Sequence, residues 1–298
     1  QVWENRFPAA LSPAQKVLQP GESLTLVSMF GFAPSEKMLE KYISGFKTFS
    51  DIASEKNKSI ELIDQITSPA VSLSSNPVLD GYVRQNFLDN ILRGGVPLML
   101  PAENGDAPVY LYSRRHGDLE RDYNYFQLAA HPLSSGAGNY RDILQNRRHD
   151  IWFYPQIKDK ELKVFVNLLQ ADGFNPLGIT GYMWKLPEQI HSDSFCPSDS
   201  ETDEADFHKI FESHFHPGQL LNWLNMHDIK IENKFDWLKN ILSKCKKELV
   251  AGSHEGGYWI DHWTYLVDML QAYEAVYPEN VEKMLTEKNK RNPAQTKT

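Results

Sequence analysis

The sequence predicts a mainly α-helical protein with a small β element near its N-terminal end. Three observations carry that prediction. Apolar residues recur at three- and four-residue intervals at 78–92, 139–149, 159–171, 217–226, 234–250, 260–276 and 279–290, the period of an amphipathic helix. The segments between them are long and rich in Gly, Pro and aromatic residues. Strand-like alternation is confined to residues 14–32. An α/α barrel or another helical array fits this pattern.

In chain order, 14–32 reads as a hairpin turning at Pro20-Gly21. Two strands alone cannot bury a face, so their partners are expected outside this chain or elsewhere within it. Residues 35–57 turn helical, with Ser35 placed to cap and Met38, Leu39, Tyr42, Ile43 and Phe46 forming one apolar stripe. Residues 59–66 extend that helix after a break. The Ser/Pro-rich stretch 68–77 marks a boundary, which gives three regions: 1–34, 35–75 and 76–298. The segment 109–135 has no helical period. A loop of that length is functional or disordered, and its aromatic content favours function. The acidic segment 192–206 reads as a solvated loop, and without EF-hand spacing it is not expected to bind metal.

A net charge of -8 argues against a surface that coats nucleic acid, which needs clustered Lys and Arg. The two cysteines, Cys196 and Cys245, form no CxxC, so neither a disulfide framework nor a thiolate zinc site is expected, and a reducing cytoplasm fits. No apolar run reaches the roughly 18 residues of a membrane span. The start, Gln1-Val2-Trp3-Glu4, is no signal peptide and reads as a chain entered mid-sequence. Aromatics at 12% suit either sugar stacking or a large core.

Two constellations can carry chemistry. The first spans 121–154 and holds Arg121, Asp122, Arg141, Asp142, Asn146, Arg147, Asp150 and Trp152. Arg and Asn donate to sugar oxygens, Asp accepts from vicinal hydroxyls, and aromatic rings stack on C–H faces. A surface helix of ion pairs is the alternative. It is opposed by the scarcity of simple i,i+4 opposite pairs and by the IWFY run that closes the segment. The second spans 252–265, where Tyr258, Trp259, Asp261 and Trp263 follow two glycines. A carboxyl set among aromatic rings loses water, which favours its protonated form, as a general acid requires. Asp261 equally suits the N-cap of the helix expected at 260–276. Glu255 is a second carboxylate, less favoured as the acid. His214 and His216 lack a third ligand at a recognisable spacing, so a structural or sugar-contacting role is expected. There is no P-loop, no GxGxxG and no GxSxG.

At these constellations the chain resembles a known family. GNYRDILQNRRHDIWF (138–153) is similar to the FRD-x-x-Q-(D/N) signature of the cellobiose/chitobiose phosphorylases, glycoside hydrolase family 94. The fuller string RDYNYF…SSGAGNYRD…QNRRHDIWF is closer to the β-1,3-oligoglucan phosphorylases, family 149. In the former family the acid lies in a Trp-x-Asp motif well downstream of the sugar-binding Arg-Asp. Here Trp259-Ile260-Asp261 stands 119 residues after Asp142 (261 − 142), the family's spacing.

The resemblance implies the end of an N-terminal β-sandwich (1–34), a helical linker (35–75) and the first part of an (α/α)6 catalytic barrel (76–298). It implies reversible inverting phosphorolysis of β-linked gluco-oligosaccharides, a β-1,3-glucan being favoured, to α-glucose 1-phosphate. Asp261 is then the general acid. Arg141 and Asp142 hold the sugar in subsite −1, with Asn146, Arg147 and Asp150 nearby and Trp259 as a wall. Inorganic phosphate is the co-substrate and no cofactor is implied. The family's relatives are commonly homodimers. Their phosphate site lies beyond the acid, whereas this chain ends 37 residues after Asp261 (298 − 261), so missing N- and C-terminal parts of the same enzyme are expected. Two other readings remain open: an inverting hydrolase using Glu255 or another carboxylate as base, and a non-catalytic carbohydrate-binding piece.

Overall fold

The computed structural model describes residues 13, 15–28, 31, 33, 35–46, 48–111, 132–170, 173–198, 200–251 and 259–286. Of these, 55% are helical and 11% lie in strands, so the chain is mainly α with small sheets. The chain divides into two compact units, residues 1–45 and 46–298. Among the described residues no helix is long and apolar enough to cross a membrane.

The first unit holds α1 (Glu36–Ser44). Ser35 caps it, its Oγ accepting from the Met38 amide at 3.3 Å. The hairpin expected at 14–32 does not form: the described residues there contain no strand. Its turn does form, with Gly21 at φ 86° and the Glu22 amide donating to the Gln19 carbonyl. Alternation without partner strands gives no ladder to complete.

In the second unit, α2 (Phe49–Thr67) begins with a Thr48/Asp51 capping box, and α3 (Pro77–Gly94) begins at the Asn76 cap with Pro77 as its first residue. The break between α1 and α2 falls at 45–48, inside the helix expected at 35–57. The Ser/Pro stretch 68–77 joins two helices that pack on each other: Arg84 reaches from α3 to pair with Asp64 and to donate to Thr67 Oγ1. The hairpin β1 (Val96–Leu100)–β2 (Ala107–Leu111) follows.

The site is framed by the next elements: β3 (Gly138–Asn139), α4 (Tyr140–Arg147), α5 (Asp150–Phe153), α6 (Lys160–Val166) and β4 (Gly178–Lys185). Next come α7 (Glu201–Phe211), α8 (Pro217–Met226), α9 (Lys234–Leu242), β5 (Lys246–Ala251), α10 (Ile260–Val276) and α11 (Val281–Thr286). Strands β3, β4 and β5 form one antiparallel sheet in that order.

Two expectations are corrected here. The helix expected over 234–250 stops at Leu242, and 246–251 pairs instead with β4, Leu249 opposite Tyr182. Cys245, fully buried at the junction, fixes the switch. The acidic segment 192–206 is not a plain loop, because α7 starts at Glu201. Its first-turn acids, Glu201, Asp203 and Glu204, suit a helix N-terminus, and Phe207 buries itself in the core.

One core gathers Trp184, Phe207, Phe215, Trp223 and Leu242. A second, formed by Tyr140, Leu144, Phe165, Leu266, Met269 and Tyr273, locks α4, α6 and α10 together. This second core positions the candidate site.

Candidate functional site

Helix α4 starts directly from β3. Asn139 ends the strand, and its Oδ1 accepts from the Arg141 amide at 3.0 Å, fixing where the helix begins. Tyr140 then points into the core. Its hydroxyl donates to the Phe165 carbonyl at 3.1 Å, and its ring stacks on His262 with centroids 5.3 Å apart. His262 is 4% exposed. Its Nδ1 lies 2.8 Å from the side-chain amide nitrogen of Asn175, just before β4. With the amide donating, the ring keeps its proton on Nε2.

Two further contacts pin the helices together. Gln145 donates to the Tyr265 hydroxyl at 3.0 Å, and Arg148 pairs with Asp268 at 2.7 Å. The N-terminal ends of α4 and α10 therefore lie side by side, with His262 between them.

The charges of the sequence-predicted acid and of the Arg141-Asp142 pair both act on His262. Burial holds His262 below its ordinary value. The charges of Asp261, Arg141 and Asp142 all act on the same imidazole, the carboxylates raising and the guanidinium lowering it. Arg141 is half exposed, and its Nε donates to Asp142 Oδ1 at 3.1 Å. Asn146 supports the pair by donating to the Asp142 carbonyl at 2.8 Å. Trp259 is 47% exposed and its ring lies 6.3 Å from that of His262, so an indole face is open to solvent beside the imidazole. Asp261 is not the N-cap. Trp259 occupies that position, and Asp261 sits within the first turn. Trp152, on α5, is exposed.

Arg147 and Asp150 go elsewhere. Arg147 lies six residues along α4 from Arg141, about 9 Å up the axis and on a different face. Its side chain is 2% exposed, with the guanidinium 3.1 Å from the centre of the Tyr110 ring and 3.8 Å from the Asp150 carboxylate. Tyr110, on β2, donates its hydroxyl to Glu161 Oε1 at 2.9 Å. The Asp150 and Glu161 carboxyls are hydrogen-bonded to each other. Burial raises both. The Glu161 carboxyl reaches about 7, although Arg147 and the bonds from Tyr110 and Asp150 pull it down. Asp150 lies well above the usual carboxylate range, through burial and then the neighbouring Glu161.

One cation beside two carboxyls leaves this cluster holding a proton at neutral pH. No guanidinium nitrogen of Arg147 has a hydrogen-bond partner, and a cavity of about 10 Å³ beside it has room for about one water. Arg147 and Asp150 thus lie in a largely buried charge cluster with Tyr110 and Glu161, on a different face of α4 from Arg141.

Arg121, Asp122, Glu255 and Tyr258 lie outside the described residues. The histidines singled out from sequence have structural partners. His214 Nε2 lies 2.8 Å from Glu248, and His216 precedes α8, its amide donating to Gln219. Among the described residues no group of His, Cys, Asp or Glu is placed to hold a metal.

Sequence reasoning missed Tyr110, Glu161, Asn175 and the role of His262. Only His262 carried a local signal, its place next to Asp261. The others are brought in by long-range contacts, 51 residues separating Tyr110 from Glu161. Compared with protein-family models, with curated proteins and with solved structures, the chain matches none.

Proposed function

We propose that this chain belongs to an inverting β-glucoside phosphorylase and supplies its general acid and its subsite −1. The observation that carries this reading is the seam at His262. Two motifs 119 residues apart in sequence, Arg141-Asp142 and Asp261, act on one buried imidazole there, beside a half-exposed indole. Helices packed in pairs, α2 with α3 and α4 with α10, suit an (α/α)6 barrel as the larger fold.

Arg141 and Asp142 grip the hydroxyls of the terminal glucose, and Trp259 stacks on its face. Asp261 gives its proton to the glycosidic oxygen as the bond from that oxygen to the anomeric carbon breaks. An oxygen of inorganic phosphate forms the new bond from the opposite face. The products are α-glucose 1-phosphate and an oligosaccharide one unit shorter. An inverting hydrolase needs a second carboxylate to activate water, whereas phosphate is already an anion and a nucleophile. His262, held neutral by Asn175 and burial, is a positioning residue that fixes the first turn of α10 and so the direction of the acid. The favoured substrate is a β-1,3-glucan oligosaccharide, and the favoured compartment is the cytoplasm.

The test is phosphate dependence. The complete enzyme that contains this chain is mixed with laminari-oligosaccharides with and without phosphate, and glucose 1-phosphate and new reducing ends are followed. Glucose 1-phosphate is expected only with phosphate. Sugar released equally fast in its absence would overturn the reading in favour of hydrolysis.

A further inference from the structure

A cavity of about 440 Å³ opens where the start of α6, the end of α10 and α11 come together, within the size range of small-molecule sites. Lys158, Lys160, Lys163 and Lys283 line it together with Tyr273 and Tyr277. Among the described residues Asp159 is the one carboxylate in the lining, paired with Lys163 at 2.7 Å. Among the described lining residues, four lysines stand against one aspartate, in a chain of net charge -8. The excess is felt at a distance: Lys160 and Lys163 add to burial in pushing the Lys247 amine down to about 8. Glu279 is close enough to act on Tyr273 but lies outside the lining.

The backbone supports a built site. Lys158 stands at φ 54°, ψ -130°, a conformation almost reserved for glycine and costly for a lysine. The aromatic wall is equally defined. Tyr273 is 4% exposed, and Tyr277 commits its hydroxyl to the Pro155 carbonyl at 2.8 Å. The two rings lie 5.7 Å apart, and Met284 is buried behind them. The cavity is thus rimmed by amines, with a small apolar surface behind them at Tyr277 and the edge of Tyr273.

We infer that this cavity binds a small phosphate monoester of hexose size, its phosphate held by Lys158, Lys160 and Lys283 and its carbon body laid against Tyr273 and Tyr277. Several converging amines suit a dianion, for which charge-assisted hydrogen bonds are the strongest available. The site shares no residue with the His262 seam and does not depend on the chemistry proposed there.

The experiment is calorimetric titration of the full chain in phosphate-free buffer with glucose 6-phosphate, inorganic phosphate or glucose. Glucose 6-phosphate is neither made nor consumed by the reaction proposed at the seam. The Lys160→Gln/Lys283→Gln double variant and Asp261→Asn are titrated alongside, after their ligand-free melting temperatures are shown to equal that of the parent. Glucose 6-phosphate is expected to bind more tightly than inorganic phosphate and to weaken with added salt. The double variant is expected to lose at least about tenfold in affinity, and Asp261→Asn none. The inference is overturned if glucose 6-phosphate does not bind, if glucose binds as well, or if the double variant binds like the parent. It is equally overturned if inorganic phosphate binds as tightly, because the tyrosine wall then contributes nothing, or if Asp261→Asn abolishes binding, because the ligand then sits at the seam.

Discussion

The two ends of α4 carry the same residue types into different surroundings. At its start, Arg141 is half exposed beside a partly buried Asp142 at the seam with α10, where solvent reaches them. At its end, Arg147 is sealed between Tyr110, Asp150 and Glu161. Six residues turn a helix by about 600°, so the two arginines point about 120° apart. The first keeps its hydration, which the proposed reading has it exchange for sugar hydroxyls. The second has lost its water and is balanced by carboxyls that share a proton. Charge density along the segment reports neither condition; what lies opposite each face decides it.

Glycines close the sealed end, and they give the strongest way to break the contrast. A Cβ on Gly181, at φ 87°, would collide with the Ser135 backbone carbonyl, and one on Gly136, at φ 80°, would press on the Tyr110 ring and the Arg147 guanidinium. Backbone cannot yield as a side chain can. Gly181→Ala is therefore expected to cost more than about 3 kcal/mol of stability in a denaturant titration, through strain at a special backbone position. A loss below about 1 kcal/mol would mean that the loop at 134–138 relaxes freely.

Removing the cation comes next. Arg147→Met leaves two buried carboxyls without their counter-charge, at a cost of about 3 kcal/mol near pH 8. The loss should shrink at pH 5, where both carboxyls accept protons. A loss independent of pH would show that packing on Tyr110, not charge, is what Arg147 supplies.

Glu161→Gln sharpens the same point without disrupting the network. Folding raises this carboxyl from its ordinary 4.5 to about 7, so the folded chain keeps a proton that the unfolded chain releases between those values. Its stabilising contribution is full below pH 4.5 and is lost as the pH rises through 7, an effect on the order of 3 kcal/mol at most. Asp150, also raised, acts in the same direction. Glutamine cannot titrate, yet it still accepts from Tyr110 and can donate to Asp150. Denaturation at pH 5 and pH 8 is therefore expected to show a flatter profile for the variant, and an unchanged slope would contradict the assignment.

The smallest stability effect belongs to the open end. Arg141→Ala should move the folding free energy by less than about 0.5 kcal/mol, as an exposed substitution does. It should still weaken oligosaccharide binding about tenfold or more, since a charge-assisted hydrogen bond is lost. A large stability loss would place Arg141 with the sealed group.

The helices were readable where caps and period agree. Asn76-Pro77 starts α3, Asn139 starts α4, and Pro217 starts α8, each ahead of an apolar stripe. The strands were not, because β4 and β5 exist through each other. Residues 246–251 follow a helix after only a three-residue turn, and pairing with β4 draws them into a ladder. The acids at 201–204 looked like loop residues because the apolar anchor of α7, Phe207, comes a turn later. At the seam, both motifs were visible but their partner Asn175 was not. In the sealed cluster Arg147 and Asp150 were visible, whereas Tyr110 and Glu161, which decide their state, come from strand and helix far away in sequence.

The central claim, that Asp261 protonates a leaving group at the seam, is tested most directly by changing how much proton the leaving group needs. Asp261→Asn, made in the complete enzyme that contains this chain, is assayed in phosphate with a laminari-oligosaccharide and with 2,4-dinitrophenyl β-glucoside, whose phenolate departs unprotonated. The variant is expected to lose about a thousandfold on the oligosaccharide and less than about tenfold on the aryl glucoside. Equal losses on the two substrates, or no loss on either, would contradict it.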